Sequence, residues 1–448
     1  MDKIIKIKKG LNINLVGEAE HVVEHHEPQY CAIKPTDFIG IYPKLHVEEG
    51  DKVKAGSILF HDKYREDLFF TSPTSGTIKA IIRGEKRLLK EIIIETDGRD
   101  DKIDFGKGDP LRMSREEITS KLVQSGIWAM IRQRPYSIIA NPLEKPKCIV
   151  VSTFDTAPLA PDNTLIIKNK QNIFQKGIDV LTRLTDGKVH LNVRYGDNSD
   201  IFTNIKGVNI NYFTGPHPAG NVSTQINRID PINKGEIIWY CYPQDILTIG
   251  ELFETGYYNG ERVFALTGSE VLHPHYYQSI IGTCISDLVN NNTGDKENRY
   301  ISGNVLTGKK IDKDGFISFY DNTVTVIPEG RHHELFGWLA PNLKKFSFSH
   351  TFLSYLFPKR KYVLDTNMHG GVRPYIMTGE FEKIFPFDIF PLQLIKACII
   401  KDIDLMENLG IYEVDEEDFA LCEVIDPSKT PIQKIIREGI DLIHKEMN

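Results

Sequence analysis

The stretch "KVKAGSILFHDKY", residues 52–64, decides the first part of the fold. Leu45-His-Val-Glu-Glu-Gly-Asp51 precedes it, and Phe70-Thr-Ser-Pro-Thr-Ser-Gly-Thr-Ile78 follows it. Short apolar runs such as Ile58–Phe60 are cut by Gly50-Asp51, Gly56 and Gly76, where glycine allows a sharp reversal of the chain. The same punctuation recurs at Gly10, Gly17, Gly84 and Asp97-Gly98, between runs such as Ile4–Ile7 and Ile92–Ile94. Residues 1–100 therefore predict an all-β module.

The phrasing is also that of a lipoyl or biotin carrier module. Carriers hang their cofactor on a lysine at the hairpin between two such halves, and Lys63 lies close to that place. Lys63 is followed by Tyr-Arg-Glu-Asp, which departs from the short carrier turn. Structural use of the module is therefore preferred over a carrier role.

The whole chain sets the limits. Its 448 residues suffice for about three domains with cores that need no staples. The net charge of −7 offers no basic excess to neutralise phosphates, which argues against nucleic acid as a partner. The N-terminus carries charges at every second or third place and has no apolar signal core. No apolar run is long enough for a membrane helix; the nearest, Ile384–Ile400, contains Pro386, Asp388, Pro391 and Lys396. A soluble chain, or one held at a membrane by a partner, is expected. The cysteines (Cys31, Cys148, Cys241, Cys284, Cys398 and Cys422) are all isolated, so no zinc or iron–sulfur ligand spacing exists. Reduced thiols in cytoplasm are the simplest reading.

From about residue 110 the period changes. Ser114-Arg-Glu-Glu117 is a capping box that opens an amphipathic helix. Strands at Cys148–Val151, Val189–Val193 and Ile237–Tyr240 alternate with helices at Gln171–Leu184 and Pro243–Phe253. That alternation predicts a doubly wound α/β domain. From about 257 strands return, and the last hundred residues are mostly helical, ending in the amphipathic Pro431–Met447.

Several motifs read as structural. "HVVEH" (His21–His25) has zinc-peptidase spacing, but its valines and nearby Pro28 argue for a surface strand. "HHE" at 332–334 has no third ligand in reach. "GPHPAG" (Gly215–Gly220) lacks backbone donors that a phosphate cradle would want, because prolines remove them, and reads as a rigid surface loop, with a substrate-facing loop as the alternative.

The order of the pieces resembles the A subunit of the sodium-translocating NADH:quinone oxidoreductases along nearly the whole length. The phrases that carry it are "KKGLNINLVG", "KLHVEEGDKVKAG", "TSPTSGTIKAIIRGEKR", "GPHPAG", "IPEGRHHELFGW" and "DEEDFALC". The chain is more distantly similar to the C subunit of the Rnf complex and to the flavin-binding subunit of complex I. The resemblance implies a multidomain α/β plus β fold. Its parts are a barrel-sandwich hybrid at 1–100, a Rossmann-like domain at 101–256, a β-grasp, SLBB-like domain at 257–345, and a mainly helical domain at 346–448.

The same comparison points to losses. Where the flavin-binding relatives have a glycine-rich loop, this chain has "GIWAMIRQRPYS" (Gly126–Ser137), whose side chains block close backbone approach to a phosphate. The relatives' cluster ligands fall on Glu416, Phe419, Cys422 and Asp426, and phenylalanine cannot ligate iron. The chain itself is therefore expected to bind no flavin and no iron. NADH, flavins, iron–sulfur centres and quinone would be used through other subunits. The implied role is a peripheral subunit on the cytoplasmic side of the bacterial inner membrane. It would dock on the membrane subunits, chiefly the B subunit, and contribute to quinone reduction. A pure assembly scaffold is the alternative.

The candidate quinone- or partner-binding residues are Trp128, Arg132, Arg134, Pro135 and Tyr136, with Cys31 and Phe38 on a second stretch, "CAIKPTDF", expected on the first module's surface. Arginine can donate to a quinone carbonyl or a partner's carboxylate, and aromatic rings can stack on a quinone head. Removing both arginines is expected to leave the chain folded. The opposing reading is that Trp128 and Met130 only plug an old cavity.

Overall fold

A computed structural model of the chain describes residues 4–196, 200–294, 296–331, 337, 343–376 and 378–447. The "HHE" motif lies outside the described residues.

The first module is two small sheets packed face to face. One runs Tyr30–Ile33, Leu89–Thr96, Gly76–Arg83, Lys52–Val53; the other runs Pro43–Leu45, Ile58–Asp62, Arg65–Thr71. Strand alternation turns Leu59, Phe70, Ile78, Ile92 and Ile94 inward, all at 2% exposure or less, and Phe60 stacks on Phe70 at 4.4 Å. Asp62 pairs with Arg65, so the hairpin at Lys63 is a two-residue turn, shorter than the sequence suggested. Lys63 is exposed at its tip. The Asp62–Arg65 ion pair (3.1 Å) and a bond from Arg65 to the Ile139 carbonyl (3.5 Å) tie the hairpin to the next domain.

The second domain is a seven-stranded sheet in the order Ile4–Lys6, Asn209–Thr214, Lys188–Arg194, Cys148–Ser152, Ile238–Cys241, Arg132–Arg134, Ile138–Ile139. The first five are parallel, and the last two form an antiparallel edge hairpin. Cys148–Ser152 is buried at every position, as a strand covered by helices on both faces must be. Helices Gln171–Leu184 and Pro243–Thr255 cover one face together with Arg115–Gln124, whose capping box at Ser114 and Glu117 forms as expected.

The third sheet runs Lys309–Ile311, Asn298–Ser302, Thr323–Pro328, Glu261–Thr267, His275–Ile280, Glu20–His25. Its central pair, Glu261–Thr267 and Thr323–Pro328, is parallel. Glu20–His25 is a fully exposed edge strand, which accounts for "HVVEH" without a metal. Helices Pro391–Ile400, Ile403–Asn408, Ala420–Ile425 and Ile432–Met447 build a separate core that also takes in Ile13 and Leu15.

"GPHPAG" is not a surface loop. His217 is 4% exposed because the N-terminal segment crosses it, with the Leu11 amide donating to the His217 carbonyl (2.9 Å) and the His217 amide donating to Asn12 Oδ1 (2.9 Å). Gly10, at φ +145°, makes the crossing possible, since a Cβ there would sit 2.1 Å from the His217 oxygen. Burial lowers the His217 pKa to about 4, against the pull of Asp155.

Candidate functional site

The stretch 126–139 forms the edge of the parallel sheet. Helix Arg115–Gln124 ends, and Gly126 turns the chain at φ +77°, where a Cβ would meet the Thr71 side chain at 2.4 Å. A short 3-10 turn, Ile127–Met130, follows with all four side chains buried. Trp128 is fully enclosed: Nε1 donates to the Ala140 carbonyl (2.7 Å) and the ring meets Trp239 edge-on at 5.4 Å. The sequence placed this ring on a working surface. The structure places it in the core, because the turn folds inward against helix and sheet.

In strand Arg132–Arg134, alternate residues share a face, so Arg132 and Arg134 point the same way. They meet different surroundings. The Arg132 guanidinium lies 4.7, 5.2 and 4.4 Å from the ring centres of Tyr240, Tyr242 and Tyr320. It is half-buried and, among the described residues, has no hydrogen-bonded or ion-paired partner. Burial works against its charge, but the tyrosines and Asp245 hold its pKa above the usual value. Such a cation keeps its donors available while the rings fix its plane.

Arg134 is 3% exposed, and its terminal nitrogens are taken up by partners. They donate to Ser137 Oγ, to Asp415 and to Glu417 (2.8 Å). Arg437 completes the cluster, 3.5 Å from Asp415 and 3.4 Å from Glu416. Burial alone would raise the Asp415 carboxyl, but Arg134 and Arg437 pull it down to about 2. Burial pushes Glu416 up to about 7 and Asp418 up to about 8, with the neighbouring charges of Asp415 and Glu417 adding to the rise. Removing an arginine this enclosed would leave the buried Asp415 carboxylate with Arg437 alone as counter-charge. Arg134 is thus a buried, ion-paired side chain and not a surface donor.

Pro135 is buried in the turn, while Tyr136 (φ +80°) and Ser137 (φ +60°) both adopt left-handed backbone. Non-glycine residues hold that conformation only when their surroundings impose it. Here Arg437 donates to the Tyr136 carbonyl (3.0 Å), and Asp415 accepts from Ser137 Oγ (2.8 Å). The Tyr136 ring lies 4.7 Å from His444 and 6.2 Å from Tyr412, packed against the helical domain.

The second candidate stretch is internal. Cys31 and Phe38 are 0% and 4% exposed, clamped between the first module and the third sheet. Lys34 Nζ donates to the Phe316 carbonyl (2.8 Å), and the Phe319 amide donates to Asp37 (2.8 Å). Burial pushes the Cys31 thiol up to about 12, so it is not a reactive thiolate. The two stretches nevertheless converge. Phe38 packs on Tyr320 at 5.8 Å, and Tyr320 both donates to the Ala129 carbonyl (2.7 Å) and lies against Arg132. Sequence reasoning missed Tyr240, Tyr242, Tyr320 and the acidic run; "DEEDF" was visible, but nothing local pairs it with Arg134.

Three sequence profiles cover most of the chain. The NqrA N-terminal barrel-sandwich hybrid domain matches residues 5–97, the NqrA second alpha/beta domain 113–258, and the NQRA C-terminal domain 263–313. The A subunit of the Na(+)-translocating NADH-quinone reductase of Neisseria meningitidis serogroup B is 39% identical across 99% of this chain and 100% of its own length. The chain belongs to the NqrA family, the A subunits of the Na(+)-translocating NADH-quinone reductases. The family's members from Photorhabdus laumondii and Yersinia pestis are each 37% identical, again over 99% of this chain and 100% of theirs. A solved NAD+-reducing [NiFe]-hydrogenase chain aligns with 49% of this chain and 48% of its own at 12% identity, with a TM-score of 0.38, too loose to carry an argument.

Within this NqrA-family chain, the cofactor positions of the distant similarities do not fit their groups. The 126–137 stretch presents packed Trp128 and Met130 where a flavin phosphate would need open backbone amides. Of the residues laid on the cluster ligands, Phe419 packs on Phe385 at 4.8 Å, Asp426 caps the Thr430 amide (2.8 Å), and Cys422 is 1% exposed. Among the described residues no group of three or more His, Cys, Asp or Glu side chains could hold a metal ion, and no helix is long and apolar enough to cross a membrane.

Proposed function

We propose that this chain is a peripheral subunit of a Na+-pumping NADH:quinone reductase, on the cytoplasmic side of the inner membrane. It docks on the membrane subunits, chiefly the B subunit, and contributes to the quinone-reduction step at the junction around Arg132. NADH, flavins and iron–sulfur centres serve the complex through other subunits. The four units at 1–100, 101–256, 257–345 and 346–448 are read as the parts that meet there. The observation that carries the reading is the Arg132 guanidinium, held by three tyrosine rings with its donors unclaimed among the described residues. A quinone carbonyl is an acceptor for such a donor, and a planar head can lie against the neighbouring rings.

The scaffold reading has its own support, since Arg134 is engaged by Asp415 and Glu417 and Trp128 is enclosed in the core. Photolabelling of the assembled complex with an azido-quinone separates the two. Adducts on peptides carrying Arg132, Tyr242 or Tyr320 support the quinone reading, whereas adducts confined to other subunits leave a scaffold. The position of Lys63 at a tight hairpin keeps a carrier role testable. The intact mass of the purified chain is expected to equal the sequence mass, and a lipoyl or biotinyl increment would establish the carrier.

A further inference from the structure

Residues 343–361 form a purely cationic stretch. They hold Lys344, Lys345, Lys359, Arg360 and Lys361 and no Asp or Glu, in a chain whose net charge is −7. Their centre is a short 3-10 turn, Leu353–Leu356. Ser354 points inward, 2% exposed, and its hydroxyl donates to the Lys345 carbonyl. That anchor turns Leu353, Tyr355, Leu356 and Phe357 outward, at 49%, 49%, 56% and 53% exposure. The far end is tied down as well, since the Tyr362 amide donates to the Asn14 carbonyl (2.8 Å) and the Val16 amide to the Tyr362 carbonyl (3.0 Å). Lys359 and Arg360 follow the apolar tip directly. Neither side chain has an ion pair or hydrogen bond among the described residues, while Lys361 pairs with Glu18 at 2.9 Å.

A contiguous apolar tip left in water is costly and marks a contact surface. The chemistry of this one defines its partner. The tip needs an apolar medium, and the cations beside it need anionic groups at its rim. Among the described residues the exposed side chains sit on one short turn held at both ends. An anionic phospholipid leaflet supplies both features, with headgroup phosphates at the level of the cations and acyl chains below.

We propose that Leu353–Arg360 is a lipid contact that inserts Leu356 and Phe357 into an anionic leaflet and sets Lys359 and Arg360 on its headgroups. The contact is weak and reversed by salt, because a few side chains do not anchor a protein permanently. It does not rest on the quinone reading, since lipid binding involves neither quinone nor Arg132.

The test is sedimentation of the purified full-length chain with vesicles, compared between phosphatidylglycerol–phosphatidylcholine mixtures and phosphatidylcholine alone. The chain is expected to bind the phosphatidylglycerol vesicles at low salt and to be released by salt. The double substitution K359E/R360E should weaken binding by about tenfold or more, since each surface cation near an anionic leaflet is worth roughly fivefold. L356S/F357S should weaken it several-fold with the folded circular dichroism spectrum retained. Failure of the wild-type chain to bind at low salt would overturn the proposal, as would variants that bind like wild type. If vesicle binding is absent but K359E/R360E weakens assembly with membrane subunits in detergent, the patch meets an acidic protein surface and the lipid assignment is wrong.

Discussion

Arg132 and Arg134 stand two places apart on one strand and face the same side, yet they belong to different kinds of region. Around Arg134 both terminal nitrogens meet carboxylates, one of them a hydroxyl as well; exposure is 3%, and the carboxylates come from the helical domain. Around Arg132 the neighbours are rings that cannot accept a strong hydrogen bond in the plane of the guanidinium. The first region spends its charge on joining domains. The second keeps its charge available. Residue type alone therefore does not identify a working arginine; the acceptors left around it do.

Single substitutions should separate the two arginines. Arg134→Ala should destabilise the chain by roughly 3–5 kcal/mol, because the buried Asp415 would lose its closest counter-charge and keep only Arg437 at 3.5 Å. Arg132→Ala should cost no more than about 1–2 kcal/mol, the scale of a cation–π contact. Thermal unfolding of both variants measures the difference. Equal losses would erase the distinction between the two regions. Limited proteolysis should also release the helical domain from the Arg134 variant first.

A second effect follows from the acidic run. Asp418 and Glu416 have folded pKa values raised to about 8 and about 7. A raised carboxyl binds its proton more tightly in the folded state, so its contribution to stability is present at low pH and is lost as pH rises from the ordinary carboxylate range through 7 and 8. Asp415 has the opposite sign: its carboxyl, lowered to about 2, favours the fold above the ordinary carboxylate range, and that contribution is lost as pH falls toward 2. Asp418→Asn mimics the protonated acid and should flatten the stability profile between pH 6 and 8. An unchanged slope in urea titrations across that range would show that Asp418 is ionised in the folded chain.

The smallest effect sharpens the Arg132 side. Tyr320→Phe removes the hydrogen bond to the Ala129 carbonyl but keeps the ring against Arg132. It should cost about 0.5–1.5 kcal/mol of stability and leave quinone kinetics unaltered. A large kinetic loss would mean that the hydroxyl, not the ring, serves the site.

Much of the fold was legible because its signals are local. Gly50-Asp51 and Gly56 marked the β-module, and the buried Cys148–Val151 run and the Ser114 capping box marked the α/β domain. The family was legible in whole phrases. What could not be read depends on contacts between distant segments. Arg134 and Asp415 are 281 positions apart, so "DEEDF" gave no local sign of its partner. Cys31–Phe38 carries the lysine and aspartate of a surface strand, and only the third sheet, by accepting from Lys34 and donating to Asp37, makes it interior. Trp128 carried the composition of a binding hot spot, which is also the composition of a well-packed core. "GPHPAG" misled for the same reason, since the segment that covers it comes from residues 7–12.

We propose that Arg132, and not Arg134, is the arginine kept for the quinone step. The most direct measurement is steady-state quinone reduction by the assembled complex carrying Arg132→Gln, with assembly checked by size-exclusion chromatography. Loss of one desolvated charged hydrogen bond should lower kcat/KM for quinone by about 10–100-fold with the complex intact. Wild-type quinone kinetics in that intact complex would contradict the account and leave this junction as a structural joint alone.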